Sequence, residues 1–494
     1  MNRNSSISLI TLFLCFVSLP IFGKTSAVEK EDNSIVQIKS TVQYPNFAEP
    51  WRYKHPETRT SYGVVIGENL VLTTAQTVYY QTNIEIQKFG SLKNFSANIV
   101  KLDPDLGLAI LKVGDSEFSS GLKAVSFPSE VFLPSSGLVI EYQEYRNLSE
   151  KKIRSIKLDI DQYTNGYVEL PYLEVQSDEK MDGIGELVVE EASRIPQGIL
   201  IQFKDSSHSG KLIPSFTIKR FIESTEKNAF SYKGFRYRSL VDKTSREFYG
   251  VKKEDQGIIV AEIYPGTPAS KLLKLEDVIV EAGGYKIDPK GYFDHPKYGK
   301  ISLAYLFHSG DDLGFKSGKK IPLKIIRAKK MVQVQMELAP FPESAVKIPY
   351  GNTRYRIPNY IMLGGIVFQE LTEHFLMEQG NQWRARSNKE LLYLNDYHRI
   401  QKEESEEKVL LLSHVFPIPG NQAYHSLRQL ILKSVNSEKV KNLADLQRIV
   451  SANQKDFLVL ETEDGTQIVF GKEELGKLNE EAMKIFRIAK STNL

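Results

Sequence analysis

The chain has 494 residues, of which 41% are hydrophobic and 25% are charged, and its formal net charge is +3. This length exceeds what one hydrophobic core serves and predicts about three domains. The nearly balanced charge excludes the broad basic surface of a nucleic-acid-binding protein, and the ordinary hydrophobic content excludes extensive disorder.

Residues 1–27 have the composition of a secretory signal. Arg3 precedes an apolar run over residues 7–22, and small residues follow at 25–27. The run is short for a membrane span and is broken by Pro20. We therefore expect an exported protein of the periplasm or cell envelope, or one that is secreted or exposed at the surface.

The single cysteine, Cys15, lies inside this segment. A lipid anchor on it is disfavoured because Leu14 occupies the preceding position, where a small residue is expected. Cleavage would leave no thiol for a disulfide, a nucleophile or a metal site.

Short strands dominate residues 28–226, with turn residues at about ten-residue spacing, which is typical of a pair of β-barrels. Val64–Ile66 and Leu70–Leu72 flank a tight turn and predict a hairpin that ends in small residues and Gln76. This hairpin resembles that of the HtrA/Deg serine proteases, and the segment before it resembles an insert of the plant-type members. The resemblance implies a mainly β chain with α+β modules, in which a trypsin-like double β-barrel precedes two PDZ-like domains.

A trypsin-like protease needs a serine nucleophile, a histidine base and an orienting carboxylate. The resemblance places the base at Gln76, the carboxylate at Gly107 and the nucleophile at Gly185, or at Glu186 if no gap is allowed. An amide is not a base near neutral pH, and glycine offers no reactive group. We therefore predict no catalytic residue, and the absence of metal-binding and nucleotide-binding motifs predicts no metal and no cofactor.

Two other hypotheses compete with this one. An active serine endopeptidase could use displaced groups, for which His208 with Ser206, Ser207 or Ser209 is the best set. Adjacent positions on a strand face opposite sides, which disfavours that set. The other histidine of the region, His55, lies in a polar loop. The remaining alternative is a surface adhesion or interaction protein.

Residues 227–345 resemble a PDZ domain over Gly257–Ile287, where a strand, a turn, a short helix and a second strand follow one another. A PDZ domain binds an extended peptide as an additional strand. The resemblance places the loop that holds the terminal carboxylate of the peptide at Tyr237–Leu240, and the start of the domain's own strand beside the peptide at Val241–Lys243. The predicted peptide-binding residues are Tyr237, Arg238, Ser239, Leu240 and Val241.

Residues 346–475 repeat this plan more loosely as a second PDZ-like domain, and residues 476–494 predict a C-terminal helix. In related Deg proteins such a domain serves assembly into trimers and hexamers. We therefore expect a non-catalytic homo-oligomer that binds unfolded or C-terminal protein segments through its first PDZ domain, as a chaperone or a regulator.

Overall fold

A computed structural model describes residues 33–142, 148–161, 168–225, 230–252, 255–350, 357–403 and 405–494. The predicted secretory signal, Cys15 and the predicted boundary at 226–227 lie outside these residues. Within them, no helix combines the length and the apolar character that crossing a bilayer requires.

The first barrel has six strands: β1 (Ile35–Val42), β2 (Glu57–Gly67), β3 (Leu70–Thr74), β4 (Gln81–Lys88), β5 (Asn94–Asp103) and β6 (Leu108–Val113). They close in the order β1-β2-β3-β6-β5-β4. The predicted hairpin is formed by β2 and β3, and a short helix, α1 (Ala75–Val78), follows β3. Alternating apolar side chains fill the barrel because successive strand residues face opposite sides.

The second barrel repeats this plan with β7 (Ser135–Tyr142), β8 (Leu148–Asp161), β9 (Leu170–Gln176), β10 (Glu186–Glu190), β11 (Pro196–Lys204) and β12 (Ser209–Pro214). Its strands close in the order β10-β11-β12-β9-β8-β7. Helix α2 (Ser215–Glu223) then leaves the barrel. Tyr62 and Leu72 of the first barrel share one apolar cluster with Leu187 and Ile199 of the second.

The middle module follows the barrels. Its strands are β13 (Ser231–Tyr232), β14 (Phe235–Ser239), β15 (Ile258–Ile263), β16 (Val278–Ala282), β17 (Tyr285–Lys286), β18 (Tyr292–His295), β19 (Gly299–Ser302), β20 (Lys320–Arg327), β21 (Lys330–Glu337) and β22 (Ala339–Pro340). Its helices are α3 (Lys243–Phe248), α4 (Pro268–Leu272) and α5 (Ala304–His308). The main sheet has the order β14-β15-β16-β20-β21, so β14 and β21 are its edges.

The C-terminal module contains β23 (Tyr360–Leu363), β24 (Ile366–Glu370), β25 (Leu410–Val415), β26 (Leu430–Val435), β27 (Glu438–Lys439), β28 (Phe457–Thr462), β29 (Gln467–Gly471) and β30 (Thr492–Asn493). Its helices are α6 (Glu373–Met377), α7 (Trp383–Arg386), α8 (Lys389–Tyr397), α9 (Leu443–Ala452) and α10 (Leu475–Phe486). The predicted C-terminal helix therefore ends at Phe486 and does not reach residue 494. Arg487 takes a left-handed φ of 55°, and the chain returns to pair β30 with β23.

The segment between β1 and β2 contacts the C-terminal module. The ring of Trp51 lies 4.8 Å from that of Phe416 and 6.1 Å from that of Tyr360. The ring of Phe47 stacks on His374 at 4.1 Å. These aromatic contacts hold the first barrel against the last module of the chain.

Substituting Trp51→Ala is expected to loosen the C-terminal module locally by about 2 kcal/mol, because the indole is half-buried and a fully buried aromatic is worth about 3–5 kcal/mol. Hydrogen exchange of the amides of β23 and β24 would measure the change. Tyr53→Ala is the matched control, since Tyr53 is 52% exposed. Unchanged exchange in Trp51→Ala would show that this contact does not hold the module.

Candidate functional site

Gln76 stands where the resemblance places a base, on the short helix α1 that follows β3. The side chain of Gln76 is exposed on α1, and its backbone carbonyl accepts a hydrogen bond from Arg59 Nη1 at 3.0 Å. The neighbouring hydroxyls of Thr74 and Thr77 bond to each other at 2.8 Å. The helix thus presents an amide and no proton acceptor of basic strength.

Gly107 lies in the turn between β5 and β6 with φ +67°, and its carbonyl accepts the N–H of Ala75 at 2.8 Å. The side chain of Asp103, at the start of the same turn, is engaged within it. Its Oδ1 accepts the N–H groups of Asp105 and Leu106, each at 3.0 Å, and burial raises its pKa. This carboxyl therefore stabilises the turn.

Gly185 lies directly against the first barrel. Its φ is +112°, and its N–H donates to the carbonyl of Leu200 at 2.9 Å. A Cβ at this position would lie 3.1 Å from the carbonyl oxygen of Tyr62 and 3.3 Å from Cγ2 of Thr74. The place of the nucleophile therefore has little room for a side chain, and its backbone conformation is one that side chains rarely adopt.

Glu186 closes the turn that precedes β10. It is fully buried, and its carboxylate accepts the N–H groups of Gly183 at 2.8 Å and Ile184 at 2.7 Å. In an acyl-transfer enzyme, turn N–H groups of this kind stabilise the developing oxyanion. Here the chain's own carboxylate occupies them.

Burial raises the pKa of Glu186 to about 7, and the charge of Glu141 adds to this. Glu141 lies on the adjacent strand β7, is 3% exposed and pairs with Lys151 at 2.5 Å. Sequence reasoning considered Glu186 only as an alternative place for the nucleophile. The sequence signal for a buried carboxylate was Glu186 at the start of the apolar strand β10.

The displaced set around His208 is not assembled. His208 is exposed with a left-handed φ of 49°, and in the described part of the chain its ring makes no hydrogen bond. The hydroxyls of Ser207 and Ser209 bond to each other at 2.8 Å. His55 is likewise exposed, in the segment before β2.

The predicted peptide-binding residues lie on or just beyond β14. Tyr237, Arg238 and Ser239 belong to this edge strand, whereas Leu240 is buried and Val241 follows the strand with 55% exposure. The structure therefore brings three of the five residues to the sheet edge.

The strand begins earlier than the sequence predicted, so the placement at Val241–Lys243 is wrong. Asp242 caps helix α3 by accepting a backbone N–H at 2.7 Å, and the chain turns away there. Gly234, at φ +75°, makes the turn that opens the strand. The loop before the strand is consequently 231–234 instead of 237–240.

This loop is anchored to the second barrel by three side chains. His308 Nε2 accepts the backbone N–H of Lys233 at 3.1 Å, and its Nδ1–H donates to the carbonyl of Glu169. The ammonium of Lys233 pairs with the carboxylate of Glu169. Burial lowers the pKa of His308 to about 4, so the neutral ring has one donor and one acceptor nitrogen. No local pattern could have revealed contacts between residues so far apart in the chain.

The corresponding edge of the C-terminal module is occupied. Strand β23 pairs with β24 through the turn at Gly364 and Gly365, and both strands contact helix α9. Asn479 Oδ1 accepts the N–H of Gly364 at 2.7 Å. The space beside β24 is thus filled by the chain itself.

Two closed six-stranded barrels, followed by modules of a sheet and short helices, define a trypsin-like serine protease fold with C-terminal extensions. A family model described as PDZ domain matches residues 348–493. The chain is 27% identical over 460 residues to "Putative protease Do-like 13" of Arabidopsis thaliana, covering 90% of this chain and 85% of that protein. It is 22% identical over 449 residues to "Protease Do-like 2, chloroplastic" of the same plant, covering 89% and 71%. The solved structure "HtrA-type protease AlgW with decapeptide" covers 64% of this chain and 98% of its own, at 17% identity and a TM-score of 0.46.

The chain is thus similar over 90% of its length to a protein of the Do-like (HtrA/Deg) protease type, and it has a trypsin-like fold and a PDZ domain at its C-terminus. The predicted fold class is confirmed in these respects.

Proposed function

We propose that this chain is a non-catalytic HtrA/Deg protein that binds extended segments of other proteins along strand β14 of its middle module. The observation that carries the proposal is the state of the cleft. Gln76, Gly107 and Gly185 supply no base, carboxylate or nucleophile, and Glu186 takes up the turn N–H groups. Loss of a triad alone removes several orders of magnitude of rate.

The middle module supplies the binding function. A sheet edge offers backbone donors and acceptors that an extended segment can pair with, and this mode depends little on side-chain identity. Strand β14 is such an edge, with Arg238 and Ser239 exposed along it. The C-terminal PDZ domain, whose comparable edge is filled by β23, is assigned to holding subunits together in a trimer or hexamer.

The composition of residues 1–27 supports the proposed location of the protein. Residues 1–27 direct export, and the protein acts in the periplasm or cell envelope as a chaperone or as a regulator of active relatives.

Placing a bulky group on the edge of β14 is expected to abolish this activity. Ser239→Trp should eliminate suppression of the thermal aggregation of a client such as citrate synthase, because the indole covers the backbone groups that a segment would use. The matched control is Gln333→Trp, at an exposed position on β21, the opposite edge of the same sheet. Equal loss in both variants, or in neither, would contradict capture at β14.

A further inference from the structure

Two arginines lie on the outer face of β14. One forms an ion pair, and the other has no ion-pair partner among the described residues. Arg236 pairs with Glu262, its register partner on β15, at 3.2 Å. Arg238 has Ile259 as its register partner, and its guanidinium makes no ion pair or hydrogen bond with any described residue. On one face of a sheet, a charged residue interacts with the residues directly opposite on both neighbouring strands. The neighbour of Arg238 on β15 is the apolar Ile259. Its neighbour on the other side would be a residue of the bound segment.

The turn beside the end of β14 adds a second cation. The N–H of Leu240 donates to the carbonyl of Pro289 at 2.7 Å, which brings the turn at 288–291 next to the strand. Lys290 is exposed in this turn, and its ammonium has no ion-pair partner within the described chain.

Two of the three nearby acids, Asp288 and Asp242, already have partners. Asp288 pairs with Lys300 at 3.0 Å, and Asp294 lies opposite Lys300 in the register of β18 and β19. Asp242 caps helix α3. At the end of β14 near Leu240, therefore, no described carboxylate forms an ion pair with Arg238 or Lys290, and both cations are available to a ligand.

The opposite end of β14 is closed by the cluster described above. The ammonium of Lys233 is neutralised by Glu169, and the backbone N–H of Lys233 is taken by His308. A ligand's negative charge consequently finds no open cation there and is drawn to the end that carries Arg238.

We propose that the segments captured by β14 carry an acidic side chain opposite Arg238. This inference rests on the proposed function and defines its ligands, which are extended segments with an Asp or Glu at one position. Lys290 strengthens the preference over a longer range that salt screens.

Fluorescence anisotropy with labelled nonapeptides tests the proposal on the full-length protein. The probes share a Val/Leu/Thr scaffold, in which Glu, Gln or Lys is placed at each position in turn. We expect Glu to tighten binding about threefold to fivefold over Gln at a single position, with Lys weaker than Gln, and the difference to shrink between about 50 mM and about 300 mM salt.

Variants of Arg238 test whether this residue causes the preference for Glu. Arg238→Gln should remove most of the Glu preference and leave only the contribution of Lys290, and Arg238→Glu should reverse the preference toward Lys. Lys330→Gln, at an exposed position on the opposite edge strand β21, is the control and should change nothing. Equal affinity of the parent chain for Glu and Gln peptides, or a preference of undiminished size in Arg238→Gln, would overturn the acidic preference alone. Absence of binding by every peptide would overturn the proposed function as well.

Discussion

Restoring the three residues of a protease triad is expected not to restore proteolysis. The variant Gln76→His, Gly107→Asp, Gly185→Ser should remain unlabelled by a fluorophosphonate probe and should cleave unfolded casein no faster than the parent chain. The introduced serine side chain would require a φ near +112° at Gly185, with its Cβ 3.1 Å from the carbonyl oxygen of Tyr62. The turn N–H groups would still be bonded to Glu186, so no oxyanion site would be available.

Two further measurements make this expectation decisive. Trypsin, assayed in parallel, verifies the probe and the substrate, and circular dichroism verifies that the triple variant is folded. Adding Glu186→Gly removes the carboxylate from the turn and shows whether its occupation is the remaining block. Labelling of the triple variant itself would mean that the cleft is open and would contradict the lack of room for a side chain at Gly185.

The barrels were predictable because their determinants are local. The alternation in β1 and the apolar runs around the Gly67 turn define strands and a hairpin, and side-chain period and turn chemistry decide such elements. The assignment of Gln76, Gly107 and Gly185 to the places of a triad also rests on local motifs, and it stays a prediction.

The peptide-binding strand was misplaced because its boundaries depend on contacts beyond the local pattern. Gly234 and Asp242 frame β14, and both could have been recognised as a turn glycine and a helix cap. The cluster of Lys233, His308 and Glu169 could not be inferred, since it joins two modules. Likewise, only the register of β23 on β24 reveals that the C-terminal module fills its own edge.

The middle module and the C-terminal module differ in whether the corresponding strand lies at the edge of its sheet. Strand β14 has one neighbour in its sheet, whereas β24 lies between β25 and β23, and β30 covers the far side of β23. An exposed edge can accept a further strand, and an edge closed on both sides cannot. This difference in backbone pairing supports the proposal that the middle module captures segments, independently of any side chain.

Glu186 is expected to make the stability of the second barrel depend on pH between about 5 and 8. Burial raises its pKa to about 7, above the usual value near 4.5, so between these values the native state holds a proton that the unfolded chain releases. Stability from this group therefore falls as pH rises through that window and is constant above it. The full difference is on the order of 3 kcal/mol, at about 1.4 kcal/mol for each pKa unit.

The substitution Glu186→Gln removes the ionisable carboxyl group and retains the size and shape of the side chain. The variant should match the parent chain near pH 5 and exceed its apparent unfolding midpoint near pH 8, where the parent must keep a charged carboxylate buried. The lowered pKa of His308 gives the opposite slope, but it is present in both proteins and cancels in the difference. Glu68→Gln, at an exposed position in the turn between β2 and β3, serves as the control and should follow the parent at every pH. If Glu186→Gln and the parent chain gave parallel profiles from pH 5 to 8, the buried carboxylate would not titrate in this range, and its hold on the turn would not respond to pH.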